Sequence, residues 1–243
     1  MATTTSPPTS VSPLDRHASP VSSSSGAKRG TAALVLGILA GAGAGDRLGA
    51  DMPKAFIPCA GRELWEWSAD VLARECDHVV FAVPPERADA DASPPRIPGG
   101  ISRSESVRNA LAIAPDADVV VIHDAARPFV TAELVRACVR VVDGGADGAT
   151  AAARVTDTIK EADADGRVVR TLDRARLWAI QTPQAFRADV LRRALASGDV
   201  GAATDDASLV ESLGGDVRIV EAPPSNFKVT WPEDLERAEA LLC

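Results

Sequence analysis

Residues Ala40 to Lys54 read Ala-Gly-Ala-Gly-Ala-Gly-Asp-Arg-Leu-Gly-Ala-Asp-Met-Pro-Lys, a stretch whose residue types suit the handling of a polyphosphate. Glycines alternate at Gly41, Gly43 and Gly45, so the backbone can turn sharply and present N–H groups with no Cβ in the way. Arg47 and Lys54 add fixed positive charge. Backbone donors flanked by cations hold an anion whose charge shifts during reaction. Glycines alone would equally suit a plain turn between strand and helix, and it is the two cations that favour the phosphate reading. Spelling excludes two familiar phosphate loops. The lysine of a P-loop stands directly behind a glycine, whereas Lys54 follows Pro53 and precedes Ala55. A dinucleotide fingerprint needs G-x-G-x-x-G, yet the third glycine is Asp46 when counted from Gly41 and Leu48 when counted from Gly43.

A second cluster, His123-Asp124-Ala125-Ala126-Arg127-Pro128, closes the apolar run Val119–Ile122. Ligands of open parallel sheets sit beyond the carboxyl ends of the strands, so this turn would face the same crevice as the glycine loop. The plainer reading is a polar turn in which Asp124 pairs with Arg127. Lys228, just before Thr230-Trp231-Pro232-Glu233, either lies over a phosphate in that crevice or is an exposed lysine at a strand end; spacing does not choose between them.

Holding these groups requires strands, and the chain supplies them. Ala32–Leu39, His78–Val83, Val119–Ile122, Gly148–Val155 and Val217–Val220 have the length and apolarity of buried strands. Helical patterning fills Glu63–Arg74, a segment starting at Ser104, Thr131–Val142, Arg187–Leu195 and, with Thr204 as N-cap, Asp205–Leu213. Trp178–Gln181 reads as a return to the core, and Thr230 to Glu233 as a capping box opening the helix Glu233–Leu242. This alternation predicts an α/β, doubly wound, mostly parallel sheet of Rossmann-like type, with no internal repeat. Thr156–Leu172 departs from it: charged and β-branched residues flank Asp165-Gly166, a hairpin signal. A projecting hairpin leaves its edges open unless another chain covers them, so an arm over residues 154–177 is the candidate dimer contact, with a surface flap as the alternative.

Composition sets limits on partners. A net charge of −8 argues against a nucleic-acid surface, and no apolar run approaches the roughly 20 residues of a membrane span. Cys59, Cys76, Cys138 and Cys243 show no C-x-x-C spacing, so neither a zinc site nor a disulfide framework is expected and a cytoplasmic setting fits. Residues 1–30 are dominated by Ser, Thr, Pro and Ala and are expected to form a disordered tail ahead of one catalytic domain over 31–243. The tail lacks the apolar stretch of a secretory signal, while its composition leaves a plastid transit peptide open.

Taken together, several ordered motifs resemble the 2-C-methyl-D-erythritol 4-phosphate cytidylyltransferases of the non-mevalonate isoprenoid pathway. They are the Gly43-x-Gly45-x-Arg47 loop through Pro53-Lys54, Ser104-Glu105-Ser106-Val107, Val121 to Pro128, Asp157-Thr158-Ile159-Lys160, Leu172-Asp173-Arg174, Gln181-Thr182-Pro183-Gln184, Thr204 to Ser208, and Asn226 to Thr230. The resemblance implies transfer of CMP from CTP to the phosphate of methylerythritol phosphate, with release of pyrophosphate and a need for Mg²⁺. It casts Arg47 and Lys54 as transition-state stabilisers. Gly100, Ile101 and Ser106, with the loop backbone at Ala42, Gly43 and Gly45, would bind the nucleotide. Asp124 would lie where phosphates, acceptor and metal meet, and is the implied metal ligand. Arg174, Lys228 and Thr158 would hold the acceptor, and Arg127, Thr182 and Thr204 complete the implied substrate contacts. A homodimer is implied, with Arg174 and Thr158 reaching into the partner's site.

Two departures stand out. The family usually spells Pro-Ala-Ala-Gly where this chain has Ala40-Gly41-Ala42-Gly43; a looser loop is expected, weakening CTP binding by about 0.5–1 kcal/mol. Ile101 replaces a frequent acidic residue, which matters little if the contact is made by backbone. A related cytidylyltransferase acting on ribitol 5-phosphate is the close rival, disfavoured by Ala125-Ala126 and Thr204 to Ser208. A non-catalytic nucleotide sensor is disfavoured by the intact Arg47, Lys54, Arg174 and Lys228. The second pathway enzyme sometimes fused behind this one is not expected, since the sequence stops at Cys243.

Overall fold

Strands that are covered on both faces must be apolar at every position, and the central runs of this chain meet that requirement. In the computed structural model, which describes residues 33–43, 48, 52–197 and 203–243, Ala33–Cys243 forms one compact unit. The expectation of a disordered tail over 1–30 lies outside the described residues, as do Gly45 and Arg47.

In chain order the elements are β1 (Val35–Ala40), the short ribbon β2 (Pro58–Cys59) and β3 (Arg62–Glu63), α1 (Leu64–Glu75), β4 (His78–Val83), β5 (Arg96–Pro98), α2 (Arg103–Leu111) and β6 (Val119–Asp124). There follow α3 (Ala132–Asp143), β7 (Gly148–Arg154), β8 (Lys160–Ala162), β9 (Val168–Thr171), β10 (Trp178–Arg187), α4 (Ala188–Ser197), α5 (Asp206–Ser212), β11 (Val217–Glu221) and α6 (Pro232–Leu242). Seven strands form one sheet in the order β11-β7-β10-β6-β1-β4-β5, parallel except at β10. Alternation along β6 divides the core: Val119 and Val121 pack with Leu39, Phe81 and Leu134 on one face, Val120 and Ile122 with Leu36, Ile38 and Leu191 on the other. The predicted doubly wound, mostly parallel class is the observed one.

Several local expectations are corrected. Trp178–Gln181 does not return to the core; Ile180 is 44% exposed, and β10 becomes buried only from Thr182 onward. The antiparallel strand over 182–187 was not expected, because Pro183 and the polar Thr182 and Gln184 leave no apolar run there. A register shift between Ile180 and Gln184 takes up the proline, as bulges do. Arg187 ends this strand rather than starting a helix. The N-cap of α5 is Asp205, whose carboxylate accepts Ser208 N at 3.0 Å, not Thr204. At α6 the capping carboxylate is Asp234, which accepts Thr230 N at 2.8 Å and Trp231 N at 2.9 Å, one residue later than the expected Glu233.

The hairpin forms where Asp165-Gly166 predicts it. β8 and β9 pair antiparallel, Gly166 takes a φ of +79°, and Val168 and Val169 are exposed.

Candidate active site

The carboxyl ends of β1 and β6 and the loop after β5 open onto one cleft of about 450 Å³. Its walls include Ala42 and Gly43 of the glycine loop, Lys54, Gly100 and Ile101, Ser106, Asp124 and Lys228. A larger cavity of about 700 Å³ opens at the amino ends of β1 and β4, but its Arg62 is already engaged with Asp70 at 2.8 Å.

Gly41, the added glycine behind the loosened-loop expectation, is itself held in place. Its N–H donates to Ala82 O at 2.9 Å, and a Cβ at this position would overlap the ring of Phe81. That ring cannot give way, because Phe56 stacks on it at 5.6 Å and Trp65 lies against it at 4.9 Å. Gly41 is therefore required by close packing at the strand end, and the residue after Ala40 is well anchored. Gly43, in contrast, has nothing among the described residues within 4 Å of where its Cβ would sit.

Across the slot, Gly99 allows a similar approach: a Cβ there would come within 2.6 Å of Ala42 Cβ. Ser102 caps α2 through Glu105 N at 3.1 Å. Ser106 Oγ accepts Gly100 N at 3.0 Å and donates to Ser102 O at 2.9 Å, holding the loop against the helix. Ile101 N donates to Glu105 Oε2 at 2.7 Å, leaving its side chain fully exposed at the cleft. Lys54 enters from a 3-10 turn, Lys54–Phe56, whose Ala55 and Phe56 are buried.

Asp124 is the charged centre. One oxygen meets Arg103 Nη1; the other meets Lys228 Nζ at 2.8 Å, with Arg127 Nε at 3.7 Å. Burial opposes its charged form, but Arg103, Lys228 and Arg127 outweigh this and hold the carboxyl far below the usual carboxylate range. Behind it, Asp124 N donates to Thr182 Oγ1 at 3.0 Å, and that hydroxyl also bonds His123 Nδ1 at 3.1 Å. Arg127 O, 3.1 Å from Nε2, can only accept, so the neutral ring donates to it from Nε2 and Nδ1 accepts from the Thr182 O–H. Burial pushes His123 down to about 4, so the ring is neutral.

Lys228 is set by its neighbours. Val229 N donates to Ala126 O at 2.8 Å, Asn226 Nδ2 to Thr182 O at 2.9 Å, and Phe227 packs on Phe129 at 5.1 Å. Arg127 Nη1 donates to Asn226 O at 2.8 Å. Arg127 and Thr182 thus lie in the frame behind the cleft rather than on its wall, and Thr204 is exposed away from it. Thr158 and Arg174 are exposed at the base of the arm, where Arg174 Nη1 donates to Thr156 O, and neither lines this chain's own cleft.

Sequence reasoning missed Arg103, Asp206 and Thr230. Arg103 and Thr230 line the cleft, and Arg103 Nε reaches Asp206 Oδ2 at 3.1 Å. The Ser102-x-x-Glu105 spacing was the available signal, since it places Arg103 at the first turn of α2 beside Ser106. Nothing in local spacing shows that Arg103 meets Asp206.

Among the described residues no three His, Cys, Asp or Glu side chains gather into a metal cluster. Asp124 is the carboxylate facing the cleft, a donor set that fits Mg²⁺ carried mainly by substrate phosphates.

Comparison with known proteins agrees with this geometry. A family model described as 2-C-methyl-D-erythritol 4-phosphate cytidylyltransferase matches residues 35–243. A protein of that name from Saccharopolyspora erythraea is 44% identical over 223 residues, covering 86% of this chain and 99% of its own. A bifunctional enzyme of Anaeromyxobacter dehalogenans is 45% identical over 226 residues, covering 86% of this chain and 57% of its own. The crystal structure of the cytidylyltransferase from Thermus thermophilus aligns with a TM-score of 0.74 at 33% identity, over 86% of this chain and 99% of that one. With its cleft, its sheet and these relatives in agreement, the chain belongs to the 2-C-methyl-D-erythritol 4-phosphate cytidylyltransferase family.

Proposed function

We propose that the cleft around Asp124 transfers CMP from CTP to 2-C-methyl-D-erythritol 4-phosphate, giving 4-diphosphocytidyl-2-C-methyl-D-erythritol and pyrophosphate. The observation that carries this reading is the buried Asp124 carboxylate, ringed by Arg103, Arg127 and Lys228 at the mouth of a glycine-walled slot. An acceptor phosphate oxygen attacks the α-phosphorus in line, the bond from that phosphorus to the bridging oxygen breaks, and the electron pair leaves on pyrophosphate. Such a displacement needs no protein nucleophile; position and charge neutralisation carry it.

The slot between Ala42 and Gly100 suits a flat base, held by backbone and by Ser106. Lys54, with Arg47 from the same loop, offsets the charge that grows on the transferring and leaving oxygens. Lys228 orients the acceptor beside Asp124. Mg²⁺ bound by the nucleotide phosphates with Asp124 as its protein ligand would neutralise phosphate charge; Asp124 would exchange a cation contact for it. Thr158 and Arg174 act on the acceptor in a partner's cleft, which the exposed arm, with Val168 and Val169, supports as a homodimer contact. None of the described helices is long and apolar enough to cross a membrane, and the four free cysteines suit a cytoplasmic enzyme.

The test is product identity. Protein incubated with CTP, methylerythritol phosphate and Mg²⁺ is expected to give the paired phosphorus resonances of a diphosphate diester together with pyrophosphate. CTP cleavage that leaves the acceptor unmodified would refute the reading.

A further inference from the structure

Asp206 has no solvent exposure, yet among the described residues its Oδ1 has no hydrogen-bond partner, and its Oδ2 meets Arg103 Nε at 3.1 Å. Taking a carboxylate out of water is costly unless it is paired and well bonded. A group serving stability alone would normally have both oxygens satisfied. Asp206 instead directs one oxygen at the back of an arginine whose other edge lines the cleft. Its own position is fixed: the neighbouring Asp205 caps α5 and accepts Gln184 Nε2 at 2.8 Å, joining the helix start to β10.

Arg103 therefore bridges two carboxylates with different nitrogens, Nε to Asp206 and Nη1 to Asp124. A guanidinium has five N–H donors in a rigid plane, so two such bonds fix the plane and leave three donors. Arg103 shares the first turn of α2 with Ser106 and follows Gly100 and Ile101, so it approaches Asp124 from the nucleotide side, while Lys228 takes the other oxygen.

We propose that Asp206 is a positioning residue: it anchors Arg103 by Nε so that the Nη edge can pass from Asp124 to a phosphate oxygen of the bound nucleotide without leaving the cleft wall. This rests on the cytidylyltransferase reading. With the anchor removed, Asp124 is the one carboxylate left on the guanidinium among the described residues, and that pair must be broken outright before a phosphate is engaged. Asp206 never touches substrate, so its effect passes through Arg103 alone.

The test titrates CTP into the full-length protein by calorimetry and measures KM for both substrates, using Asp206→Asn, Arg103→Gln and the double variant. Asp206→Asn is expected to weaken CTP binding and raise its KM about five- to tenfold, with acceptor KM within twofold. In the Arg103→Gln background the same change should have no further effect. Unchanged CTP affinity in folded Asp206→Asn, equal rises in both KM values, or losses that multiply in the double variant would overturn the anchoring role. Should Asp206→Asn fail to fold, Arg103→Lys decides: it keeps the charge but cannot bridge both carboxylates. A similar loss of CTP affinity supports the anchor, and full affinity refutes it. A wild-type protein that binds CTP but makes no product would count against the transfer reading, while the titrations would still decide the anchor.

Discussion

Lys54 lines the cleft, and on the proposed reading it offsets growing negative charge, so its removal should act on the transition state more than on nucleotide binding. Lys54→Ala is expected to lower kcat by about 100-fold or more while CTP affinity changes severalfold at most, measured by pyrophosphate release and direct titration. Equal losses in both would remove the transition-state role. His123 makes a second prediction. Its ordinary value near 6.5 falls to about 4 in the folded protein, so below 6.5 the unfolded chain binds the extra proton first. Its contribution is intact above 6.5 and is lost as pH falls toward 4, by up to about 3 kcal/mol. His123→Gln should therefore flatten the fall in thermal midpoint between those pH values, and an unchanged slope would contradict the neutral buried ring. At this scale the cleft positions of Asp124 and Lys54 were legible because short motifs carry them, and that of Lys228 through the resemblance alone. Arg103 was not, since its partners stand 21 and 103 residues away and no local spacing reveals a pair closed by the fold.

The glycine loop joins strand to cleft, and its first glycine answers to packing. Gly41→Ala drives a methyl into Phe81, held between Phe56 and Trp65, and is expected to cost about 1–3 kcal/mol in denaturant unfolding. Unchanged stability with tighter CTP binding would instead revive the loosened-loop expectation. β6 was legible for the opposite reason: being buried on both faces, it is apolar over Val119–Ile122 and polar only where it reaches the cleft. β10 was not legible. Its buried Thr182 and Gln184 serve the polar frame behind Asp124, so the strand carries neither an apolar run nor a clean alternation.

Over the whole molecule, strand and helix alternation sufficed for the fold class, because parallel strands and crossover helices leave few other arrangements. The arm, with Val168 and Val169 exposed on it, is the proposed contact with a second chain. Val168→Asp with Val169→Asp places charge on its exposed apolar patch and should shift the protein toward monomer in sedimentation, with loss of turnover but little change in thermal midpoint. A variant that stays dimeric and active would move the contact elsewhere.

The cleft is expected to choose between acceptors. Pyrophosphate release from CTP should be measured with methylerythritol phosphate and with ribitol 5-phosphate under matched conditions. A kcat/KM higher for methylerythritol phosphate by about 100-fold or more is expected, since the cleft's buried polar groups penalise a mismatched acceptor. Equal or faster turnover with ribitol 5-phosphate would contradict it.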